Sequence, residues 1–229
     1  MRLEEVNDTL NRLEQSLGYV FNNKTYLSAA LTHRSTGQEN NERLEYLGDA
    51  LLGFIIAEAV YKRYPAASEG ELTRLRATLV KGETLASIAR KLDLGNYLKL
   101  GSGELKSGGW RRKSILANTM EAIIGALYLD SGLNACRKSV LALYEDMLTH
   151  TSPENLVKDP KTRLQEYLQS LQQELPDYQV ITERGEAHVR VFTVQCMINK
   201  LNISVQAEGH SKRNAEQAAA QMALDLLNI

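Results

Sequence analysis

Three acidic side chains stand at helical spacing in the segment NNERLEYLGDALLGF, residues 40–54. On a helix turning about 100° per residue, Glu42, Glu45 and Asp49 fall within one narrow stripe, and the leucines face the other side. Like charges at these spacings repel by about a few tenths of a kcal/mol per pair. The stripe therefore predicts a positive partner, either a bound cation or the arginines of an ordinary solvated acidic surface.

A second apolar segment, SILANTMEAIIGALYLD at residues 114–130, carries Asn118 and Glu121 about one turn apart on one face. The run at 47–60 is apolar on nearly all sides, which is typical of a helix buried in a core or at an oligomer interface. A carboxylate near a buried surface is energetically costly unless it is paired with a positive group or bound to a metal. Oxygen ligands on two such helices predict a site for a hard cation of the Mg²⁺ type.

Composition sets limits on the class of protein. The chain has 229 residues, a formal net charge of -1 and 24% charged residues, so bulk charge indicates neither a disordered acidic tail nor a basic nucleic-acid coat. Cys136 and Cys196 lie in no metal-binding spacing, which favours a reducing compartment and no zinc site. With neither a signal peptide nor a membrane-spanning run expected, the predicted location is cytoplasmic.

The apolar periodicity changes along the chain and predicts two domains. In residues 1–149 the apolar positions follow the helical period. Residues 150–158 are polar and contain a proline, as a linker does. Residues 159–229 combine segments of helical period with segments of the alternating strand period. We expect an all-α domain followed by a small α+β domain of order α-β-β-β-α. The helices expected in the first domain are 3–16, 24–32, 41–63, 70–80, 82–92, 113–130 and 133–148.

The second domain is expected to pair its helices with a three-stranded sheet. Pro160 suits a helical first turn, and alternation of apolar residues predicts the strands. The elements expected are a helix at 159–173, strands at 178–185, 188–198 and 201–209, and a helix at 211–227. The last helix is expected to bury Ala215, Ala218, Ala219, Met222, Ala223 and Leu226.

Lys212 and Arg213 begin that last helix, where cations oppose the helix dipole. A bound phosphate would explain them, and two solvated cations are the alternative. Residues 153–229 hold 8 Lys and Arg against 10 Asp and Glu, so any affinity for nucleic acid depends on local placement.

A glycine-rich basic segment, GSGELKSGGWRRKS at residues 101–114, precedes the second apolar helix. Its glycine spacing does not match a dinucleotide fingerprint, and no nucleotide cofactor is expected. A flexible loop that contacts a phosphate backbone through Arg111, Arg112 and Lys113 is one interpretation, and an ordinary exposed loop is the other.

NERLEYLGDALL at 41–52, together with GELKSGG and the 114–130 helix, resembles the active-site motifs of bacterial ribonuclease III. The tail resembles a double-stranded-RNA-binding domain. The resemblance implies hydrolysis of double-stranded RNA to 5′-phosphate and 3′-hydroxyl ends with Mg²⁺, for which Mn²⁺ substitutes. It also implies processing of ribosomal RNA precursors and messenger RNA.

The resemblance implies a role for each acid. Glu45 and Glu121 would be metal ligands, with Asp49 holding the metal or its water and Glu42 nearer the substrate. Asn118 departs from the family, which usually has an aspartate there. A neutral amide oxygen still coordinates Mg²⁺ but weakens the electrostatic part of binding, so we expect a higher metal requirement. Glu69 matches a further family acid, and a plain surface glutamate is the alternative.

By the same resemblance, Gln165 and His188 would reach successive minor grooves while Lys212 and Arg213 span the phosphates between them. Asn214 stands where a third cation is usual. A homodimer is expected, with two acidic sites facing one duplex; the apolar run at 47–60 is consistent with burial across a two-fold axis.

A rival hypothesis is a double-stranded-RNA-binding protein whose catalysis is weakened. Asn118 favours it. Retention of Glu42, Glu45, Asp49 and Glu121 together favours the nuclease, because a disused site has no reason to keep four carboxylates.

Overall fold

A computed structural model describes residues 3–153, 159–186 and 189–229 of the chain. Within these residues no helix is long and apolar enough to cross a membrane. The helices of the first part are α1 Leu3–Leu17, α2 Lys24–Ala30, α3 Glu42–Arg63, α4 Glu69–Val80, α5 Gly82–Lys91, α6 Ser102–Lys106, α7 Lys113–Leu143 and α8 Glu145–His150. The second part contains α9 Pro160–Ser170, β1 Asp177–Arg184, β2 Val191–Ile198, β3 Ile203–Gly209 and α10 Lys212–Leu227.

The chain forms two compact units, Met1–Leu156 and Val157–Ile229. Among the described residues the first unit is helical, and the second packs two helices on one antiparallel sheet of strand order β1-β2-β3. Each unit has its own apolar core. The predicted fold class, an all-α domain followed by an α-β-β-β-α domain, is confirmed.

Helices α3 and α7 are the centre of the first unit. Both contribute fully buried side chains, including Leu52 and Ile56 from α3 and Ile123 and Leu127 from α7. Helix α3 begins where the Asn40 side chain accepts a hydrogen bond from the Glu42 amide (3.0 Å), which satisfies a free N–H of the first turn. Helix α4 packs on α3, and helices α2 and α5 pack on α7.

Helix α7 changes direction at Gly132, whose φ of 75° and ψ of -179° are non-helical. Only glycine adopts this conformation without strain. The break lies in the gap predicted between helices at 113–130 and 133–148, and the second of these ends earlier than expected, at Leu143.

Within this chain the run at 47–60 is not buried on all sides, as it would be in an intramolecular core, and its burial at an oligomer interface stays a prediction. Asp49 is exposed, and aromatic side chains on α3 face outward: Tyr46 is 82% exposed, Phe54 51% and Tyr61 70%. The physical reason is that helix packing covers one face of α3 within this chain. The opposite face keeps an apolar stripe on the surface.

The glycine-rich segment is not a uniform loop either. It contains α6 and a short 3-10 turn at Gly109–Arg111. Gly109 packs against Glu104 so closely that an added Cβ would meet the Glu104 side chain at 2.6 Å. The glycine therefore serves close packing as well as a turn.

In the second unit, β1 and β2 pair antiparallel with Tyr178 opposite Cys196, and a bulge lies between Val180 and Thr182. Alternate residues of β2 point inward, as shown by the burial of Val194 and Cys196. The predicted position of Pro160 in a helical first turn is confirmed, since it directly follows the Asp159 cap of α9.

The buried stripe of α10 differs from the one expected. Its buried residues are Ala215, Ala219, Ala220, Ala223 and Leu224. Met222 is 45% exposed and Leu226 is 62% exposed, so their predicted burial was wrong. Alanines occur on neighbouring faces of this helix, and their small, similar side chains leave its rotation undefined by sequence alone.

Candidate active site

Two glycines let α3 and α7 approach at backbone contact. A Cβ added at Gly48 would overlap the carbonyl oxygen of Glu121, and one added at Gly125 would overlap that of Leu44. The absence of side chains at these two positions is therefore a packing requirement. We call this contact the α3–α7 seam; it places the acids of α3 beside the polar face of α7.

The seam brings together four of the residues predicted from sequence. Glu45 and Asp49 of α3 lie close enough to Glu121 of α7 for their charges to act on it. The side chain of Asn118 lies close enough to the Glu45 carboxylate to lower its pKa, and both residues line the same cavity. Glu45, Asn118 and Glu121 are partly buried, whereas Asp49 is exposed.

Burial and mutual repulsion disfavour charge on this cluster. Burial first, and then the charges of Asp49 and Glu45, raise the pKa of Glu121 to about 7. Burial also raises the pKa of Glu45, as do the Glu42 and Asp49 charges, while the nearby Asn118 amide and the Arg34 charge act the other way. Such a concentration of acids favours binding of a cation.

A cavity of about 540 Å³ opens beside the cluster. Glu42, Glu45 and Asn118 lie in its wall, and Arg34 and Arg112 bring positive charge to the same cavity. Its other lining residues are His33, Ser35, Asn41, Glu104, Ser114 and Ile115. A larger cavity, of about 890 Å³, lies by the start of α3 and shares only Glu42 with this one.

Each of these two arginines forms an ion pair with a glutamate. Arg34 Nη1 lies 3.4 Å from Glu42 Oε1 at the surface. Arg112 Nη1 lies 2.7 Å from Glu104 Oε1, and its other terminal nitrogen donates to the Ser107 hydroxyl at 3.3 Å. The sequence left two interpretations open for Arg112, a flexible loop that contacts a phosphate backbone and an ordinary exposed loop. It did not indicate Glu104, and the adjacent glycines were the available signal that this acid is packed in place.

Tyr144 is a further neighbour that the sequence did not indicate. It is fully buried, and its hydroxyl has no hydrogen-bond partner among the described residues. Burial raises its pKa, with a further contribution from the Glu121 charge. A tyrosine among apolar positions carries no sequence signal that distinguishes it from an ordinary core residue.

The donor set fits a hard cation without forming a closed cage. Among the described residues no three His, Cys, Asp or Glu side chains are placed to enclose a metal ion by themselves. Mg²⁺ usually retains several waters and needs only one or two carboxylates from the protein. Glu45, Asp49, Glu121 and the Asn118 amide oxygen are therefore suitable in chemistry and number.

In the second unit, Gln165, Lys212 and Arg213 are all exposed, as a role in binding requires. Predicted His188 lies outside the described residues. Glu69, the further acid suggested by resemblance, is exposed on α4 and accepts a hydrogen bond from the Thr73 hydroxyl at 2.8 Å. It lines a separate cavity that contains none of the seam residues.

Contacts between α9 and α10 fix the spacing of those RNA-binding candidates. Lys161 Nζ lies 2.6 Å from Glu216 Oε2 and 4.3 Å from the centre of the Tyr178 ring. Gln217 accepts a hydrogen bond from the Lys161 amide at 3.1 Å and donates one to Asp159 at 2.7 Å. Gln165 and the start of α10 therefore lie on two helices that these contacts hold together.

The fold and the site together define a helical domain with an acidic seam, joined to a double-stranded-RNA-binding type of domain. Family comparison agrees, since a profile described as ribonuclease-III-like matches residues 23–148 and the double-stranded RNA binding motif matches residues 160–227. The chain belongs to the ribonuclease III family.

Similar proteins span nearly the whole chain. A ribonuclease 3 from Nitrosococcus oceani is 59% identical over 222 residues, which cover 96% of this chain and 95% of that protein. A ribonuclease 3 from Azotobacter vinelandii is 55% identical and covers 96% of both. A crystal structure of the nuclease domain of ribonuclease III from Campylobacter jejuni has a TM-score of 0.59 at 40% identity, covering 62% of this chain and 97% of that one.

Proposed function

We propose that this protein is an endoribonuclease that hydrolyses phosphodiesters of double-stranded RNA with Mg²⁺, leaving 5′-phosphate and 3′-hydroxyl ends. The convergence of Glu45, Asp49, Asn118 and Glu121 at the α3–α7 seam carries this proposal. Family membership supports the reaction class. Mn²⁺ is expected to replace Mg²⁺, because it accepts the same oxygen ligands.

Glu45, Glu121, Asp49 and the Asn118 amide oxygen would hold the metal. When bound, the divalent ion would screen the phosphodiester charge, lower the pKa of a water and stabilise the leaving oxygen. Asp49 is exposed and would orient the attacking water or its metal. Glu42 lies in the wall of the adjoining cavity, nearer to where a ribose-phosphate strand would pass.

The second unit would supply most of the affinity for the duplex. Gln165 and His188 would contact minor grooves, and Lys212 and Arg213 the phosphates between them, so that the A-form shape is recognised more than the sequence. Exposure of Lys212 and Arg213 at the start of α10 supports this role. Asn214 adds no charge there, so the expected affinity is modest.

We further propose a homodimer. Tyr46, Phe54 and Tyr61 form an outward aromatic stripe along α3, and the cavity of about 890 Å³ adjoins its first residue. Exposed apolar patches of this kind commonly mark a protein interface. A structure of the Campylobacter jejuni nuclease domain describes a region involved in dimer formation, and this chain is 42% identical to it.

The cellular task implied by the family is cytoplasmic processing of ribosomal RNA precursors and messenger RNA. The alternative, a duplex-binding protein with weakened catalysis, depends on Asn118 alone. Because an amide oxygen remains a Mg²⁺ ligand, retention of the carboxylates favours the nuclease.

The proposed function is tested with a plain RNA duplex incubated with the protein across a Mg²⁺ titration. We expect Mg²⁺-dependent cleavage of both strands, with 5′-phosphate ends detected by a phosphate-dependent exonuclease. Single-stranded RNA of the same sequence is the control. An intact duplex at every Mg²⁺ and Mn²⁺ concentration, despite binding, would instead indicate the weakened binder.

A further inference from the structure

Helices α9 and α10 share a core in which the α10 side is nearly smooth. Leu164 and Leu168 of α9 pack in the same apolar cluster as Ala219, Ala220 and Ala223 of α10. Alanine side chains allow close approach, but they project too little to interlock with the side-chain rows of a neighbouring helix. The apolar contact therefore resists separation of the two helices more than it resists sliding of one along the other.

Directional hydrogen bonds join the two helices near their amino-terminal ends. Gln217 of α10 accepts a hydrogen bond from the Lys161 amide through Oε1 at 3.1 Å, and its Nε2 donates to Asp159 Oδ1 at 2.7 Å. The Lys161 N–H belongs to the first turn of α9, where no acceptor exists within the helix. The same Asp159 carboxylate caps α9 by accepting from the Thr162 amide at 3.1 Å. Both ends of one carboxamide are thus engaged by the beginning of α9.

A neighbouring contact at this place is less directional. Lys161 Nζ lies 2.6 Å from Oε2 of Glu216, the residue before Gln217 on α10. An ammonium group is a compact charge on a flexible stem, so it attracts a carboxylate from many positions. A carboxamide that satisfies an N–H on one side and a carboxylate on the other is restricted to far fewer. Gln217 is therefore better suited than Glu216 to fix α9 along α10.

We propose that Gln217 is a positioning residue for duplex recognition, which fixes the spacing between Gln165 on α9 and the pair Lys212 and Arg213 on α10. This inference rests on the proposed binding of double-stranded RNA by the second unit. Gln165 lies one turn after Lys161, and Arg213 lies one turn before Gln217. The hydrogen bonds of Gln217 thus join the two helices within a turn of the groups whose distance they set.

A fixed spacing between these groups gives selectivity for the form of the duplex. The A-form helix of RNA and the B-form helix of DNA differ in groove width and depth, so the separation between a minor groove and the neighbouring phosphates differs as well. A surface that matches one separation loses contacts on the other. Gln217 acts through Gln165 without touching the duplex, and in this way contributes to a preference for RNA over DNA.

Replacement of Gln217 by methionine tests the proposal, because Gln217→Met removes both hydrogen bonds and keeps the length of the side chain. Dissociation constants are measured in EDTA for an RNA duplex and for a DNA duplex of the same sequence. We expect affinity for RNA to fall about fivefold, as loss of one well-placed hydrogen bond implies, and affinity for DNA to change by less than about twofold. Gln221→Met is the matched control, since Gln221 is one turn later, similarly half-buried, and donates to Asp225 of its own helix at 2.7 Å.

A Gln165→Ala background separates positioning from a general loss of folding. If Gln217 acts through Gln165, Gln217→Met is expected to change RNA affinity by less than about twofold once Gln165 is absent. A partly unfolded second unit would instead lower affinity by the same factor in both backgrounds. Thermal unfolding verifies that every variant is folded at the assay temperature.

A charge exchange tests the contact between Gln217 and Asp159 directly. Gln217→Glu places two carboxylates against each other and is expected to weaken RNA binding more than Gln217→Met does. Adding Asp159→Asn restores the hydrogen bond with donor and acceptor reversed, and the new amide oxygen still caps α9. We expect the double variant to recover RNA affinity to within about twofold of wild type.

Unchanged RNA affinity in Gln217→Met, or equal losses with and without Gln165, would overturn the inference. So would equal losses of RNA and DNA affinity, or a double variant no better than Gln217→Glu. Each of these results leaves duplex binding by wild type in place. Wild-type protein that binds neither duplex would overturn the proposed duplex binding itself, and this inference with it.

Discussion

At the scale of single residues, the site is defined by carboxylates of unequal burial. Glu121 and Glu45 are partly buried and repelled by their neighbours, whereas Asp49 and Glu42 are exposed. Partly buried acids are the ones whose protonation depends most on a nearby cation. Glu121 is therefore the most informative residue to replace.

Glu121→Gln keeps the size of the side chain and removes its charge. We expect cleavage of duplex RNA to fall by at least about a hundredfold, because an anionic ligand becomes a neutral one, while RNA affinity stays within about twofold. Cleavage rates and filter binding measure the two effects. Glu145→Gln, an exposed acid at the start of α8, is the matched control, and wild-type cleavage by Glu121→Gln would remove this residue from the site.

The raised pKa of Glu121 also predicts how metal-free stability depends on pH. Its folded pKa of about 7 lies above the ordinary value of 4.5, so the protonated acid favours the folded state. This contribution is fully present below pH 4.5 and is lost as pH rises through about 7. In EDTA, the unfolding midpoint of wild type should fall relative to that of Glu121→Gln over this window. Parallel curves for the two proteins would contradict the assigned environment.

At the scale of elements, the site depends on how closely two helices pack. Gly48→Ala places a methyl group against the Glu121 carbonyl, a backbone atom that cannot move aside. We expect a loss of about 3 kcal/mol in unfolding free energy, since overpacking a close contact typically costs this much. Urea unfolding measures it.

Gly53→Ala on the same helix is the control, because nothing lies within 4 Å of its added Cβ. It should be neutral or stabilise the protein by up to about 1 kcal/mol through helix propensity. Similar losses in both variants would mean that helix backbone effects, and not contact at the seam, explain Gly48.

Sequence predicted the elements better than the contacts between them. The stripe of Glu42, Glu45 and Asp49 follows from helical periodicity alone, and the bounds of α3 were expected within a residue. The pairing of Arg112 with Glu104 depends on a folded α6 and its glycine contacts, which have no periodic signal.

Ambiguity in apolar pattern explains the remaining errors. Helix α10 has alanines on adjacent faces, so Met222 and Leu226 were placed in its core although the structure exposes them. An apolar run likewise cannot show which of its faces stays uncovered. The sequence therefore left open whether the run at 47–60 is covered by the core or by a partner subunit, and the structure leaves Phe54 of that run exposed within the chain.

At the scale of the whole molecule, the two units have separate cores, and cleavage is proposed for the first and duplex binding for the second. A chain ending after Pro153 lacks α9, α10 and the sheet. We expect it to bind duplex RNA at least about tenfold more weakly, because most phosphate and groove contacts are lost. Gel-shift titration at fixed salt measures this, with thermal unfolding to verify that the nuclease unit is intact. Undiminished affinity would refute the role of the second unit.

The proposed dimer gives a separate prediction. Phe54→Glu places a charge in the exposed stripe of α3, where an interface would have to desolvate it. We expect the dimer dissociation constant, measured by sedimentation velocity, to rise at least about tenfold. Leu105→Glu, at an equally exposed apolar position on α6, is the matched control. A Phe54→Glu protein that remains dimeric would exclude this face of α3 as the interface.

The acids of the site come from two helices, α3 and α7, and meet only where those helices pack at Gly48 and Gly125. The acidic site therefore forms only when the first unit is correctly folded, whereas the second unit has a core of its own. A molecule in which only the first unit is damaged would lose cleavage while its second unit could still bind RNA. Such a molecule would then shield duplexes from intact copies, so damage confined to the first unit is expected to turn a protein that degrades duplexes into one that protects them.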